Sequence, residues 1–183
     1  GLKEERSRSF NASVDWYHYF GDFQANLLVE GFYTKLSDPF VLTPPVKDPD
    51  GSAYLIQTRI NGSGAKVYGG TLEGKVAYKD KVQLQAGLTL QRSIYDSPEE
   101  WSADEEHLSE KERYSDKILR TPDVYGYFTA TYMPVKAFSI ALNGNYTGRM
   151  YVPHLLSEVN GEADVLVKSP DFFELGTKIA YDF

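Results

Sequence analysis

The sequence predicts an all-β chain that folds as an antiparallel up-and-down meander of about seven long strands. Apolar and polar residues alternate with period 2 in repeated runs along the 183 residues, and this pattern is typical of strands with two different faces. No stretch of comparable length has a helical period. Between the runs, short turns alternate strictly with long polar loops. This is the pattern of a meander whose connections lie alternately at the two ends of its strands.

The first two strands are predicted at 9–20 and 23–35. Apolar residues such as Val14 alternate with polar residues such as Asp15 in the first run, and the alternation restarts after Gly21-Asp22. A Gly-Asp pair between two alternating runs is a hairpin signal. The sequence therefore predicts a tight turn here.

The third strand is predicted at 53–79, although Gly62-Ser63-Gly64 interrupts its run of apolar residues. Both halves keep their apolar residues at even positions. Counted as two strands, the halves would make two short connections fall consecutively. Counted as one long bulged strand, they preserve the alternation of short and long connections, so we predict a single strand.

The fourth strand, predicted at 82–95, has the clearest alternation, from Val82 to Ile94. The remaining strands are predicted at 123–133, 137–149 and 171–183. The predicted short turns are 21–22, 79–81 and 133–136, and the predicted long loops are 36–52, 96–122 and 150–170. The second loop has spacing that allows a short helix from about Ser102 to Arg113.

Three features favour a transmembrane β-barrel over a soluble sheet. The strands run about 11 to 13 residues or more, beyond the ~5–6 residues usual in soluble proteins and near the length that a tilted membrane strand needs. Short turns on one side and long loops on the other are the asymmetry of outer-membrane barrels. Finally, the middle of the apolar face carries no charged residue. Lys66 and Arg92 lie on the same face but nearer the long loops, where they are expected to reach the outer interface.

Composition excludes several classes of function. The net charge is −7 and the pI is about 5.0, which argues against nucleic acid as a partner. The chain has no Cys and three His, and it contains no catalytic or phosphate-binding motif. We therefore expect no enzyme activity, no cofactor and no metal site.

Seven strands cannot close a barrel of this kind, because single-chain bacterial barrels have even strand numbers. The chain is therefore expected to be a fragment. The alternative is a soluble β-sandwich or small β-barrel that binds a carbohydrate or a lipid and uses the apolar face as its own core. The strands at 9–20 and 171–183 would be the free edges of the fragment and the expected points of self-association.

Four stretches resemble the C-terminal part of the barrel of TonB-dependent outer-membrane receptors: 2–20, 61–80, 147–154 and 171–183. The second, NGSGAKVYGGTLEGKVAYKD, is the most specific. Its matching residues are Asn61, Lys66, Val67, Gly69, Gly70, Leu72 and Glu73. Thr71 stands where the family commonly has a Glu.

The resemblance implies active nutrient import across the outer membrane. Such receptors form 22-stranded barrels, embedded in outer-membrane lipid and closed by an N-terminal plug domain, and the TonB complex energises them through the plug. Residues 1–183 are expected to be the C-terminal fragment of such a barrel, with the plug absent. The cargo is left open between a ferric siderophore, cobalamin, haem and a glycan.

Candidate site residues fall into two groups. Polar and aromatic residues in the outer loops suit recognition of cargo at a pore mouth: Trp101, His107, Tyr151 and His154. Residues on the polar face of the strands are predicted to line the lumen and meet the plug: Asp15, Glu30, Glu73, Gln85 and Glu174. The loop from Asp96 to Lys117 carries a net charge of −6, and we expect most of this charge to be solvated.

Overall fold

The computed structural model describes residues 1–51 and 54–182 and consists mainly of one antiparallel sheet. In chain order its elements are β1 (Arg6–Phe20), β2 (Phe23–Ser37), β3 (Phe40–Leu42), β4 (Val46–Lys47), β5 (Leu55–Ile56), β6 (Arg59–Asn61), β7 (Ala65–Tyr78), β8 (Val82–Glu100), α1 (Glu110–Arg113), β9 (Tyr114–Lys117), β10 (Val124–Val135), β11 (Phe138–Thr147), β12 (Tyr151–His154), α2 (Ser157–Asn160), β13 (Val165–Lys168) and β14 (Phe172–Tyr181). No helix among the described residues is long and apolar enough to cross a membrane.

Seven long strands form the sheet in the order β1-β2-β7-β8-β10-β11-β14, and each pairs antiparallel with its neighbours. This confirms the predicted meander of seven long strands. The sheet is open, with β1 and β14 at its edges, so the barrel is not closed within this chain. The short strand β9 extends the sheet by pairing with the end of β8.

The short turns lie where the sequence predicts them. Phe20 pairs with Phe23 across the first turn, where Gly21 has a positive φ of 61° that a glycine adopts without steric cost. Tyr78 pairs with Val82 across the second turn, and Val135 pairs with Phe138 across the third. All three turns lie at the same end of the strands.

The prediction of one long strand at 53–79 is wrong. The sheet strand β7 begins only at Ala65, and β5 and β6 belong to a separate hairpin that pairs with β4 and β3 within the preceding loop. Gly64 separates the two parts with a φ of 107°, which interrupts an extended strand. The predicted strand ends at residues 53 and 183 lie outside the described residues.

The second loop contains a short helix within the range that its spacing allows, but only Glu110–Arg113 (α1) are helical. Ser109 and Glu112 form a capping box at its start, in which the Ser109 amide donates to Glu112 Oε2 at 2.9 Å. The backbone amide of Trp101 donates to the carbonyl of Arg113 at 2.9 Å. Residues 102–109 therefore lie in a loop whose two ends are joined by this hydrogen bond. Ser102, within the loop, bonds to Asp164 of another loop.

One face of the sheet is a continuous apolar surface that no second layer of the described residues covers. Val14, Val29, Leu72 and Leu88 are register partners across four strands, and their exposed fractions are 71%, 50%, 51% and 44%. The described residues bury only two hydrophobic side chains, Ala65 and Trp101. A sandwich or a closed small barrel would bury this face in its own core, whereas the described residues form one open main sheet, so the alternative fold is not formed.

Aromatic rings line the short-turn end of the apolar face. The ring centroids of Phe20 and Phe23 are 5.5 Å apart, and those of Phe23 and Tyr78 are 4.7 Å apart. Trp16 stacks on His18 at 5.3 Å in the same region. This row has the composition of an interfacial aromatic girdle.

Candidate functional site: a cleft between three loops

Three long loops pack together at the end of the sheet opposite the short turns. We call them the first loop (38–64), the second loop (101–123) and the third loop (148–171). Between them lies an open cleft of about 790 Å³, here called the loop cleft. Its apolar lining includes Phe40, Leu42, Leu55, Ile60, Trp101, Leu119 and Leu155, and its charged lining is Arg59, Glu99, Glu100, Lys117 and Arg120.

Trp101 forms part of the wall of the loop cleft and is only 8% exposed. Its indole Nε1 donates to the carbonyl oxygen of Glu112 at 2.8 Å, so this donor is already engaged within the loop. Arg113 reinforces the same turn through an ion pair with Glu105 at 3.2 Å and another with Glu100. Trp101 therefore offers a rigid apolar surface rather than a free hydrogen-bond donor.

A polar cluster that is buried except for His107 joins the second loop to the third, and we call it the clasp: Ser102, Asp104, His107 and Asp164. Ser102 Oγ donates to Asp164 Oδ2 at 2.6 Å, and the Asp164 amide donates to Asp104 Oδ2 at 3.0 Å. Asp164 Oδ1 accepts from the amides of Leu156 at 2.7 Å and Ser157 at 2.8 Å. The two loops are thus held together by side chains 62 residues apart.

Apart from His107, the clasp is buried, and its carboxylates are well supplied with donors. The exposed fractions of Ser102, Asp104 and Asp164 are 0%, 5% and 3%. Burial alone would raise the pKa of Asp164, but hydrogen bonds from Ser102 and from the amides of Ser157 and Leu156 outweigh it, so the pKa is lowered. Donors to both acids favour the ionised form, so the clasp carries two charged carboxylates at neutral pH.

His107 belongs to the clasp rather than to the cleft. Its Nδ1 lies 2.9 Å from Asp104 Oδ1, and its side chain is 33% exposed. The hydrogen bond to Asp104 raises the pKa of His107 against the opposing effect of burial. The amide of His107 also donates to Asp104 at 3.0 Å, so the residue closes a local turn around that carboxylate.

Tyr151 lies at the centre of a second arrangement, between two lysines. The Nζ atoms of Lys117 and Lys168 are 4.9 Å and 5.3 Å from the centroid of its ring, within cation–π range. Tyr151 lines a second, more open cleft of about 740 Å³ together with Pro98 and Tyr114. His154 lies on β12 opposite Val165 and lines neither of these two clefts.

The structure brings some of the predicted lumen residues together on the polar face. Gln85 Nε2 donates to Glu73 Oε1 at 2.9 Å and to Tyr127 Oη at 3.0 Å, and Tyr127 Oη donates to the other Glu73 oxygen. Asp15 accepts from Asn26 Nδ2. Glu174, on β14 opposite Asn145, is not joined to this network.

Sequence analysis missed Ser102, Asp104 and Asp164 as a unit. Asp164 follows Glu162 and Ala163 in a polar loop, and no motif marks it as a carboxylate that becomes buried. Within residues 1–51 and 54–182, no group of three or more His, Cys, Asp or Glu side chains is placed to hold a metal ion.

Comparison with solved structures supports the fold. The chain superposes on the copper transporter OprC with a TM-score of 0.59 and 15% identity, and on the FrpB iron transporter from Neisseria meningitidis (F3-3 variant) with a TM-score of 0.55 and 16% identity. Both alignments cover 100% of this chain and 24% of the other. The chain thus spans about a quarter of these proteins.

No match was found among curated protein sequences. The sequence profile of the family described as "TonB dependent receptor-like, beta-barrel" matches residues 1–183. This match covers the whole sheet and all three loops. The chain therefore belongs to the TonB-dependent receptor β-barrel family.

Proposed function

We propose that the chain is a C-terminal part of the barrel of an outer-membrane transporter that takes up a scarce nutrient, such as a ferric siderophore or cobalamin. The loop cleft carries this proposal, because all three long loops contribute to its walls. A cleft with an apolar lining and a few charged groups is typical of sites for small molecules. The names of the two structural neighbours, a copper and an iron transporter, support uptake of a scarce nutrient.

In this proposal the three loops lie outside the cell and the short turns lie in the periplasm. Trp101 faces cargo in the loop cleft and Tyr151 in the second cleft. His107 acts through the clasp, and His154 lies outside both clefts. The polar face, with Asp15, Glu30, Glu73, Gln85 and Glu174, lines the lumen against a plug domain of the parent protein. The TonB complex acts through that plug, and the barrel itself catalyses no reaction.

The topology is tested by labelling a single cysteine in the intact receptor in whole cells. Ser102 is a poor position because it is fully buried, whereas Glu105 has a side chain that is 78% exposed. We expect a membrane-impermeant maleimide to label Glu105→Cys and to leave Asp80→Cys, beside the second short turn, unlabelled. Labelling of Asp80→Cys alone would place the loops in the periplasm and would refute their role in capture.

The clasp is expected to control the shape of the loop cleft. Asp164→Ala removes the acceptor of the Ser102 hydroxyl and of the Leu156 and Ser157 amides. The buried Ser102 hydroxyl left without a partner costs about 1–3 kcal/mol, and the two part-buried amides add to this cost. The third loop should therefore detach. We expect the Leu156 and Ser157 amides to exchange at least about tenfold faster and nutrient uptake to fall.

Glu162→Ala is the matched control, because it removes an exposed carboxylate from the same loop and leaves the clasp intact. We expect it to behave as the wild type in both amide exchange and uptake. Equal effects of the two substitutions would show that charge, rather than the clasp, controls the loop. Normal uptake with Asp164→Ala would show that the cleft does not need the docked third loop.

A further inference from the structure

Basic residues on neighbouring strands line up at the loop end of the apolar face. Arg8 pairs with Lys35, and Lys35 pairs with Lys66. One strand further, Lys66 pairs with Ile94, which pairs with Lys117. Register partners in an antiparallel sheet lie on the same face, so Arg8, Lys35 and Lys66 form a basic row across β1, β2 and β7. Lys117 is not counted in this row, because its Nζ lies 4.9 Å from the centroid of the Tyr151 ring and the residue lines the loop cleft.

The next row toward the short turns is aromatic. Phe10, Tyr33 and Tyr68 are register partners across three strands, and Arg92 completes the row on β8. Closer to the turns, the same face carries a row of small and apolar residues and then the row of Val14, Val29, Leu72 and Leu88. An apolar band, then aromatic rings, then basic groups is the order of environments from the hydrocarbon core to the charged headgroups of a membrane.

The row keeps excess positive charge although the chain as a whole has a net charge of −7. Asp96 forms ion pairs with Lys35 and, at 3.4 Å, with Lys66. This one carboxylate lies against Lys35 and Lys66, while Arg8 and Arg92 extend the positive surface to either side. The side chains of Lys35 and Lys66 are still 32% and 37% exposed, so Asp96 does not cover either of them completely.

We propose that the basic row, with Arg92, binds the phosphate groups of an anionic lipid headgroup in the outer leaflet. The occupant is a lipid rather than a free anion because the row continues directly from the exposed apolar face, where acyl chains would lie. Several Lys and Arg side chains on a rigid sheet suit a headgroup with more than one phosphate. The inference rests on the proposed topology and is independent of the nutrient.

The test uses the intact receptor in lipid nanodiscs and counts retained lipid by native mass spectrometry. The probes are a diphosphorylated outer-leaflet glycolipid and the same lipid without its phosphates. A Lys or Arg near an anionic membrane surface contributes about fivefold to binding. The double variant Lys66→Gln/Arg92→Gln should therefore bind the phosphorylated lipid about 25-fold more weakly and the dephosphorylated lipid as the wild type does.

The matched control is Lys75→Gln/Lys178→Gln, which removes two charges from the polar face and should retain the phosphorylated lipid fully. Asp96→Asn should strengthen binding, because it releases Lys35 and Lys66 from their ion pairs. If the double variant does not assemble, binding by Asp96→Asn decides the question. Equal loss in both double variants, no dependence on the lipid phosphates, or displacement of the lipid by an equal concentration of inorganic phosphate would overturn the proposal. Uptake is not measured, so failure of the proposed transport function would not affect this result.

Discussion

Replacing Leu88 with arginine is expected to lower the free energy of unfolding of the intact receptor barrel by about 2–4 kcal/mol, the cost of a cation on the lipid face at mid-bilayer depth. Leu88 is 44% exposed on the apolar face and lies beside Leu72 on β7. It is six residues above Val82, which starts β8. With the rise and tilt of a barrel strand, that distance is about 15 Å, near the middle of an apolar band of about 25 Å.

Gln85→Arg is the control on the same strand. Gln85 lies on the opposite face, where it contacts Glu73, so an arginine there gains an attractive neighbour and should cost much less. Both variants are measured by denaturant unfolding of the receptor in lipid vesicles. Equal destabilisation by the two substitutions would mean that the two faces of the sheet have been assigned wrongly.

The meander could be predicted from the sequence because each long strand contrasts two faces along its whole length. A side chain such as Val14 faces the apolar surface and its neighbour Asp15 faces the polar one, so period 2 is visible without any knowledge of pairing. The length of the third strand could not be predicted in this way. The hairpin formed by β3 to β6 also consists of strands. Apolar residues therefore stay at even positions on both sides of Gly64, and the sequence shows no boundary there.

The candidate site was less accessible to prediction than the fold. An aromatic residue in a long loop, such as Trp101, is a reasonable candidate for a binding surface, and the structure places it in the cleft wall. The partnership between Ser102 and Asp164 depends on how two loops pack, and no local pattern records that packing. The sequence placed Ser102 in an exposed acidic loop, whereas its hydroxyl is fully buried against a carboxylate.

Replacing residues 101–113 with an Asn-Gly turn is expected to abolish nutrient uptake while the barrel still assembles. Glu100 and Tyr114 are antiparallel partners, so a two-residue turn can join them without disturbing β8 or β9. A wider deletion of 99–115 would instead cut into both strands. The replacement removes the Trp101 wall and three members of the clasp, so the cleft loses one side and the third loop loses its anchor.

The matched control shortens a different hairpin in the same region. Replacing residues 48–54 with Asn-Gly joins Lys47 to Leu55, which are also antiparallel partners, and no described residue of that segment lines the loop cleft. Heat-modifiable mobility of the receptor on gels should show that both variants assemble, and only the replacement of 101–113 should stop uptake. Undiminished uptake in that variant would show that the loop cleft is not where cargo is captured, whereas failed assembly would show that the second loop is needed for folding of the barrel itself.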